Sequence, residues 1–485
     1  MSTPSPRLNR RQALAAGAAS LGALALAACG ESPTDSAAGS LPEGLQAELQ
    51  RNLERARAEA RNVTAAAPRA AVKLPAPGAQ HPVTVAMYPT NRIGGSIFGQ
   101  FVNGLVAARE RAEERYTYEE AALDYGRNAS TFSISTALEA VAHQNPDIVI
   151  YFRADQADLL ANDRLAPLDD FLVSDSGFVP ADFWPGLLET GKHEGVQYGV
   201  PVAVSPHVLL FNRKWAIEQQ VEPPAPDPLT FDPEVFLDTV RALHVEPPPS
   251  GGLGGMGYIS QFSPEPDGNG DYDASPSPYE LLQSAVGDLR GPDNDFAPLT
   301  SLPAVQVAEF LRAWVHDHRL AITDGSSTRS FRRTGQFGFM EMILAFIPPS
   351  RLIGTGVEVY PLPNMGAGRS PVFVHAMLGV LSSAPNPEIA YDALRHLAAG
   401  LRASSVLPAT RISAAGIDAR TPDLASADAN LAEQLMQNAT YSTLSRRQAG
   451  LITNHIVGNI IFGDQHPQDG MQALADRLRE ESADT

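Results

Sequence analysis

From about His81 onward, apolar residues recur first at every second position and then at every third or fourth, the alternation of a chain that runs strand, helix, strand. Val83, Val85 and Met87 alternate with smaller or polar residues and predict a first strand ending at Tyr88. A helix is expected from about Ser96 to Glu114, an extended segment near Tyr118 to Asp124, a helix near Ser130 to His143, and then the strand Asp147-Ile148-Val149-Ile150-Tyr151. Strands that alternate with helices predict parallel α/β layers. A second apolar run, Val208-Leu209-Leu210-Phe211, follows Pro201 to Pro206 and leads into Trp215. Residues 222–278 carry repeated Pro, Gly and Asp and read as long surface loops around a few ordered elements. Periodicity returns in a helix near Ala304 to His316, where Val307, Leu311, Trp314 and Val315 share one face. A strand signal at Val357 to Pro363, a helix near Pro387 to Gly400 and a mostly helical C-terminal stretch complete the pattern.

Ahead of His81 the pattern is different. Arg10-Arg11 precede an uncharged run, Ala13 to Ala28, that ends in Leu26-Ala27-Ala28-Cys29. Basic residues, a short apolar stretch, small residues and then a cysteine form the order of a bacterial lipoprotein export signal. The run is shorter than the roughly 20 apolar residues a spanning helix needs. Residues 1–28 are therefore read as a leader and Cys29 as the lipidated first residue of the mature chain. Residues 29–80 are read as a tether with one helix, built on Leu45, Leu49, Leu53, Ala56 and Ala60. The arginine pair leaves twin-arginine and general secretory export both open. Either route places the protein on the outer face of the cytoplasmic membrane or in the periplasm.

A length of 485 residues and 44% hydrophobic content support more than one sizeable core. The formal net charge of −19, which loss of Arg7, Arg10 and Arg11 with the leader makes more negative, speaks against nucleic acid as a partner. Cys29 is the only cysteine, so the body has no internal disulfide, thiolate metal site or cysteine nucleophile.

Motifs for nucleotides and metals fail on their context. Gly252, Gly254 and Gly257 have dinucleotide spacing, but Pro247-Pro248-Pro249-Ser250 stands where a strand is required, so a flexible loop is the better reading. Gly186 to Lys192 has phosphate-loop spacing, yet His193 replaces the Ser or Thr that would bind magnesium. Asp267, Asn269, Asp271 and Asp273 could aim oxygens at calcium, but Tyr272 takes the sharp-turn glycine position and Pro278 the closing glutamate, which favours an acidic solvated loop. No nucleophile elbow or zinc-protease helix appears. Neither cofactor nor metal is expected, and catalysis has no positive signal.

Several blocks, in order, carry a family resemblance. Asn145-Pro146-Asp147-Ile148-Val149-Ile150-Tyr151, followed by Leu165-Ala166-Pro167-Leu168-Asp169-Asp170, resembles the family 1 extracellular solute-binding proteins of ABC importers. Tyr198-Gly199-Val200-Pro201 leading to Leu210-Phe211-Asn212-Arg213-Lys214 is similar to that family's first crossover between lobes. Thr334 to Met340, Val359-Tyr360-Pro361-Leu362-Pro363 with Met377 to Ala393, and Phe462-Gly463-Asp464 with Pro467 are similar to its later segments. The resemblance implies a type II periplasmic-binding-protein-like α/β fold of two discontinuous lobes with a cleft between them. The first lobe would comprise residues 81–205 and 371–420, the second 206–370 and 421–485.

It further implies a non-enzymatic, monomeric receptor. That receptor would capture a sugar or oligosaccharide by lobe closure and deliver it to an ABC importer permease, held at the membrane by the lipid on Cys29. Placing the family's pocket segments on this chain gives Asn91 and Arg92, Tyr151, Arg153 and Asp155, Ser205 and His207, Tyr258 and Gln261, Phe346 and His375 as ligand-binding candidates. Tyr151 and Asp155 would face the cleft from the first lobe, opposite Tyr258 or Phe346. Two departures from the family bear on the ligand. Leu344-Ala345-Phe346-Ile347-Pro348 stands where many members have a Gly-Pro-Trp-like turn, and no acid lies between Val202 and His207. A polyamine or other cationic solute stays open on this reading, as do a secreted lipoprotein hydrolase and a surface scaffold on a similar fold.

Overall fold

The computed structural model describes residues 74–76, 79–87, 115–123, 133–175, 177–224, 231–246, 254–259, 261–262, 265–266, 274–275, 277–291, 295–321, 334–344, 356–404, 409–410 and 426–483. The leader, the tether helix, the helix expected at 96–114 and the acidic loop at 267–273 lie outside these residues.

The first half begins with β1 (His81–Met87), β2 (Tyr116–Ala122), α1 (Ile134–Val141) and β3 (Ile148–Tyr151). A 3-10 turn, Arg153–Asp155, leads into α2 (Gln156–Ala161) and α3 (Asp169–Ser174). A hairpin of β4 (Lys192–His193) and β5 (Val196–Gln197) precedes the long strand β6 (Val200–Asn212). Next come α4 (Arg213–Glu218), α5 (Pro233–Leu243), β7 (Met256–Tyr258), β8 (Gln261–Phe262), β9 (Ala274–Ser275), α6 (Pro278–Val286) and α7 (Leu302–His316). The remainder comprises β10 (Phe337–Ile343), β11 (Val357–Pro361), β12 (Ser370–Val380), α8 (Pro387–Ser404), α9 (Ser426–Gln437), β13 (Ala439–Tyr441), α10 (Arg446–His455) and α11 (Pro467–Ala483).

Strand order β2-β1-β3-β12-β6-β10-β7, with β11 added on β6 and β13 on β12, makes one nine-stranded sheet. Its β1–β2 and β1–β3 ladders are parallel, the mark of helical crossovers. The β12 strand then runs antiparallel to both β3 and β6.

The central device is β6. Val200 to Pro206 pair with β12, whereas His207 to Asn212 lie between β10 and β11. One continuous strand thus carries the chain from one half of the sheet into the other. The sequence pattern set the run at 208–211 apart from the prolines before it. Proline is tolerated here because Pro206, which has no N–H to donate, sits where the β12 ladder ends.

Two buried clusters flank this switch. The first joins Val83, Val85, Ile148 to Tyr151, Val200 to Val204 and Met377 with Leu394 and Leu397 of α8 and Leu431 and Leu435 of α9. The second joins Leu209 and Phe211 with Phe236, Tyr258, Trp314, Phe339 and Tyr360, and with Ile452 of α10 and Leu474 of α11. Trp184 belongs to the first cluster and Trp215 to the second.

The glycine-rich segment that reads as a flexible loop is ordered at its end. Gly257 lies in β7, parallel to β10, and a Cβ there would come within 1.7 Å of the Val240 carbonyl oxygen. The glycine is what lets α5 settle against the strand.

Candidate functional site

Where β6 changes partners it carries His207 into a buried group of acids. His207 Nδ1 lies 3.3 Å from Glu341 Oε1, and its Nε2 lies 3.6 Å from Glu280 Oε1. Glu341 Oε2 accepts hydrogen bonds from the Tyr258 hydroxyl, at 3.3 Å, and from the Ser277 backbone N–H, at 3.2 Å. Burial pulls the His207 pKa down, but Glu280 and Glu341 outweigh it and leave the imidazole raised above its usual value. Burial also raises Glu280; His207 opposes that shift and Glu341 adds to it. The Oε2 atom of Glu280 is buried with no hydrogen-bond partner among the described residues.

A second group forms where β3 ends. Tyr151, expected to face a cleft, has no exposed surface. Its hydroxyl donates to Gln156 Oε1 at 3.4 Å, and a Cβ on Gly199 would lie 2.0 Å from that hydroxyl. The ring therefore belongs to the first core, and its pKa is raised by burial first. Alternation along the strand turns the next side chain the other way. Phe152 is half-buried, stacks on Phe373 of β12 with centroids 5.7 Å apart, and lies under the Arg446 guanidinium, 5.7 Å from its ring centre.

Arg446 opens α10 and reaches the 3-10 turn. Its Nε and Nη2 donate to Asp155 Oδ1 at 3.1 and 2.9 Å, and Asp155 is 3% exposed. The pair joins a helix of the second cluster to the end of a strand of the first. A capping box of Ser445 and Gln448 fixes the start of α10, and Gln448 Oε1 also accepts from Arg290 Nη2 at 3.1 Å.

Arg153 sits in the same turn. Burial pulls its pKa down to about 10; the Tyr151 and Tyr279 phenols work against this, and the nearby Arg290 guanidinium deepens it. The Nε atoms of Arg153 and Arg290 are both buried without a hydrogen-bond partner among the described residues. Tyr279 and Glu280 are neighbours in the first turn of α6. One is coupled to Arg153 and the other to His207, so α6 connects the two polar groups.

The other candidates divide. Ser205 is buried on β6 opposite Phe373 of β12. Tyr258, expected to face a cleft, is 1% exposed; its ring meets Trp314 edge-on at 5.5 Å and Phe236 at 5.9 Å within the second core. Gln261 lies on β8 and His375 on β12 by backbone position. Asn91, Arg92 and Phe346 fall outside the described residues.

Residues the candidate set omitted carry much of the geometry, namely Phe152, Tyr279, Glu280, Arg290, Glu341 and Arg446. Two of them left a trace. Glu341 is the lone charge in the strand Phe337-Gly338-Phe339-Met340-Glu341-Met342-Ile343, and Glu280 is the lone charge in α6.

Among the described residues no group of three or more His, Cys, Asp or Glu side chains is arranged to hold a metal, and no helix is long and apolar enough to cross a membrane. A shallow hollow lined by Ser284, Asn364, Arg369 and Ser370 lies between β11 and β12, apart from both polar groups.

No family model and no curated protein matches the chain. Solved structures do. An ABC substrate-binding protein from Listeria monocytogenes, in complex with cycloalternan, superposes with a TM-score of 0.62 at 14% identity, over 83% of this chain and 99% of that one. The GacH receptor of Streptomyces glaucescens, solved unliganded and with acarbose, gives 0.58 at 17% identity, over 82% and 98%. An ABC transporter solute-binding protein from Thermotoga lettingae, bound to α-D-tagatose, gives 0.59 at 15% identity, over 83% and 99%. This chain therefore has the two-lobe α/β fold of periplasmic binding proteins, with β6 as the strand shared by its two cores.

Proposed function

We propose that the protein is an extracytoplasmic solute-binding lipoprotein that captures a sugar or oligosaccharide between its lobes and hands it to an ABC importer. The fold likeness spans nearly the whole of binding proteins whose bound molecules are carbohydrates, and this observation carries the reading. The local chemistry agrees with it. Hydroxyl groups both donate and accept, and the junction of the two cores holds a buried guanidinium Nε and a buried carboxylate oxygen that lack partners among the described residues. Phe152 and Phe373 add stacked apolar rings beside them. A receptor of this kind needs no chemistry of its own.

On this reading the first lobe is built on 81–205, 371–420 and 426–441, the last because β13 pairs with β12, and the second on 206–370 and 444–483. Helix α9 goes with the first lobe, because Leu431, Ala432, Leu435 and Met436 join its cluster. Cys29 anchors the chain by its lipid, and residues 30–80 leave the lobes free to reach the permease.

The test is a thermal-shift and calorimetric screen of the purified protein against neutral and acidic mono- and oligosaccharides, polyamines and peptides. A matched sugar at 100 times its dissociation constant should stabilise the folded state by about 2.7 kcal/mol. Chromatography of the recovered solute should show it unchanged; product would make the protein an enzyme, and stabilisation by polyamines alone would make the solute cationic. The anchor is tested separately, since Cys29→Ser should move the protein from membrane to soluble fractions without altering its fold.

A further inference from the structure

Arg446 and Arg153 both stand at the junction of the two cores, and of the two only Arg446 holds a carboxylate among the described residues. Arg446 holds Asp155 through two donors. Arg153, two residues before Asp155, forms no hydrogen bond or ion pair with any described residue, and its Nε is buried. Arg153 is half-buried, and its Nε is closed off from water without an acceptor; a buried donor left unsatisfied is costly, so this guanidinium requires a reason.

Its surroundings sharpen the question. The charged group that deepens the strain on Arg153 is Arg290, a second cation, whose own Nε also lacks a partner. Arg290 is held by Gln448 at Nη2, and its backbone N–H rests on Asp288 Oδ1 at 3.1 Å. Asp155 is taken by Arg446, Glu280 and Glu341 are engaged with His207, and of Arg153 and Arg290 Asp288 acts on Arg290 alone. A hydroxyl could accept one hydrogen bond from such a pair but would leave the mutual repulsion of the two cations in place. An anion removes it, and the planar guanidinium offers paired N–H donors that match a carboxylate or phosphate.

We propose that the solute carries an acidic group, a carboxylate or phosphate borne on a sugar, which Arg153 receives together with Arg290 at the junction of the two cores. This inference rests on the carbohydrate-binding reading. It reassigns Arg153 from a partner for sugar hydroxyls to the residue that selects acidic over neutral sugars. The empty protein carries guanidinium donors without acceptors that ligand binding satisfies.

The test compares matched probes by calorimetry on the purified full chain: galacturonate oligomers against the corresponding neutral galactose oligomers, and glucose 6-phosphate and glucuronate against glucose. An acidic member of a pair should bind at least about tenfold more tightly than its neutral counterpart, and the two arms decide between carboxylate and phosphate. Arg153→Gln should shrink that preference to within about threefold. Arg153→Met should leave the melting temperature of the empty protein unchanged or raise it, because it removes a buried donor that has no acceptor; a structural arginine would lower it. Equal or tighter binding of the neutral sugars, or a preference that survives Arg153→Gln, overturns the inference and leaves the sugar-binding reading intact. Binding of no sugar in either arm overturns both.

Discussion

The two cores are built on different physics. The second is an aromatic mass: Phe236 stacks on Trp314 with centroids 5.8 Å apart, and Phe339 lies 4.8 Å from Phe211 and 5.3 Å from Phe236. Tyr258 and Tyr360 close it from either side. The first core is mainly aliphatic and is stitched by a buried polar network. The Tyr116 hydroxyl donates to Asp392 Oδ2 at 2.6 Å, and Arg395 bridges Asp392, at 3.1 Å, and Asp175, at 2.8 Å. Tyr391 adds a second donor to Asp175, at 3.1 Å. Dispersion is not directional, so the second core should respond to lost volume; the network is directional, so the first should respond to lost charge.

The sharpest break in that comparison is Trp314→Ala. Trp314 is wholly buried among Phe236, Tyr258 and Phe310, and its removal should cost about 3–5 kcal/mol in a urea titration. Next comes Asp392→Asn, which keeps the size and removes the charge between Tyr116 and Arg395, at about 1–3 kcal/mol. A polar substitution in the first core that proves harmless would end the contrast.

Arg446→Ala tests the link between the cores. It leaves the Asp155 carboxylate buried without its charge partner and strips the cation from the face of Phe152. The expected loss is about 1–2 kcal/mol, because Arg446 itself is one-fifth exposed. Two resolved unfolding steps in place of one would show that this pair couples the lobes. A single unchanged transition would assign the coupling to β6 and β12 alone.

How much of this was legible depended on whether the information was local. The strands at 81–87, 148–151 and 357–361 follow from alternation and from β-branched runs, and α7 and α8 from their apolar faces. The partner switch at Pro206 did not show, because proline reads as a breaker until the ladder on each side is known. At the junction, Arg153, Asp155, Ser205 and His207 were within reach because each lies at the end of a strand or at a crossover. The sequence does not separate a core ring from a cleft ring at Tyr151 and Tyr258, because an aromatic at a strand end suits both equally. Only the contacts distinguish them: Gly199 under one hydroxyl, and Trp314 and Phe236 against the other ring. Arg446 could not be paired with Asp155 from sequence, since 291 positions separate them.

The smallest effect concerns the acids around His207, which resemble the network of the first core but sit against the second. The folded-state pKa of His207 lies above the ordinary 6.5, so the stability it contributes is fully present below that value and is lost as pH rises through the higher folded pKa. Glu280, likewise raised above 4.5, favours its protonated form in the folded protein, and its contribution is also lost with rising pH, beginning in the more acidic range. Both slopes therefore run the same way, toward lower stability at higher pH. Glu280→Gln removes one group outright and takes from His207 a carboxylate that raises it, so the decline between pH 5 and 8 should flatten. Urea midpoints at unit pH steps measure this. The net change at neutral pH should stay below about 1 kcal/mol, because the amide keeps the size of the side chain and the charge repulsion with Glu341 that it relieves offsets the lost attraction to His207. A slope unaltered by Glu280→Gln would mean that the pH response arises elsewhere, and that this acid cluster behaves as inertly as the aromatic core beside it.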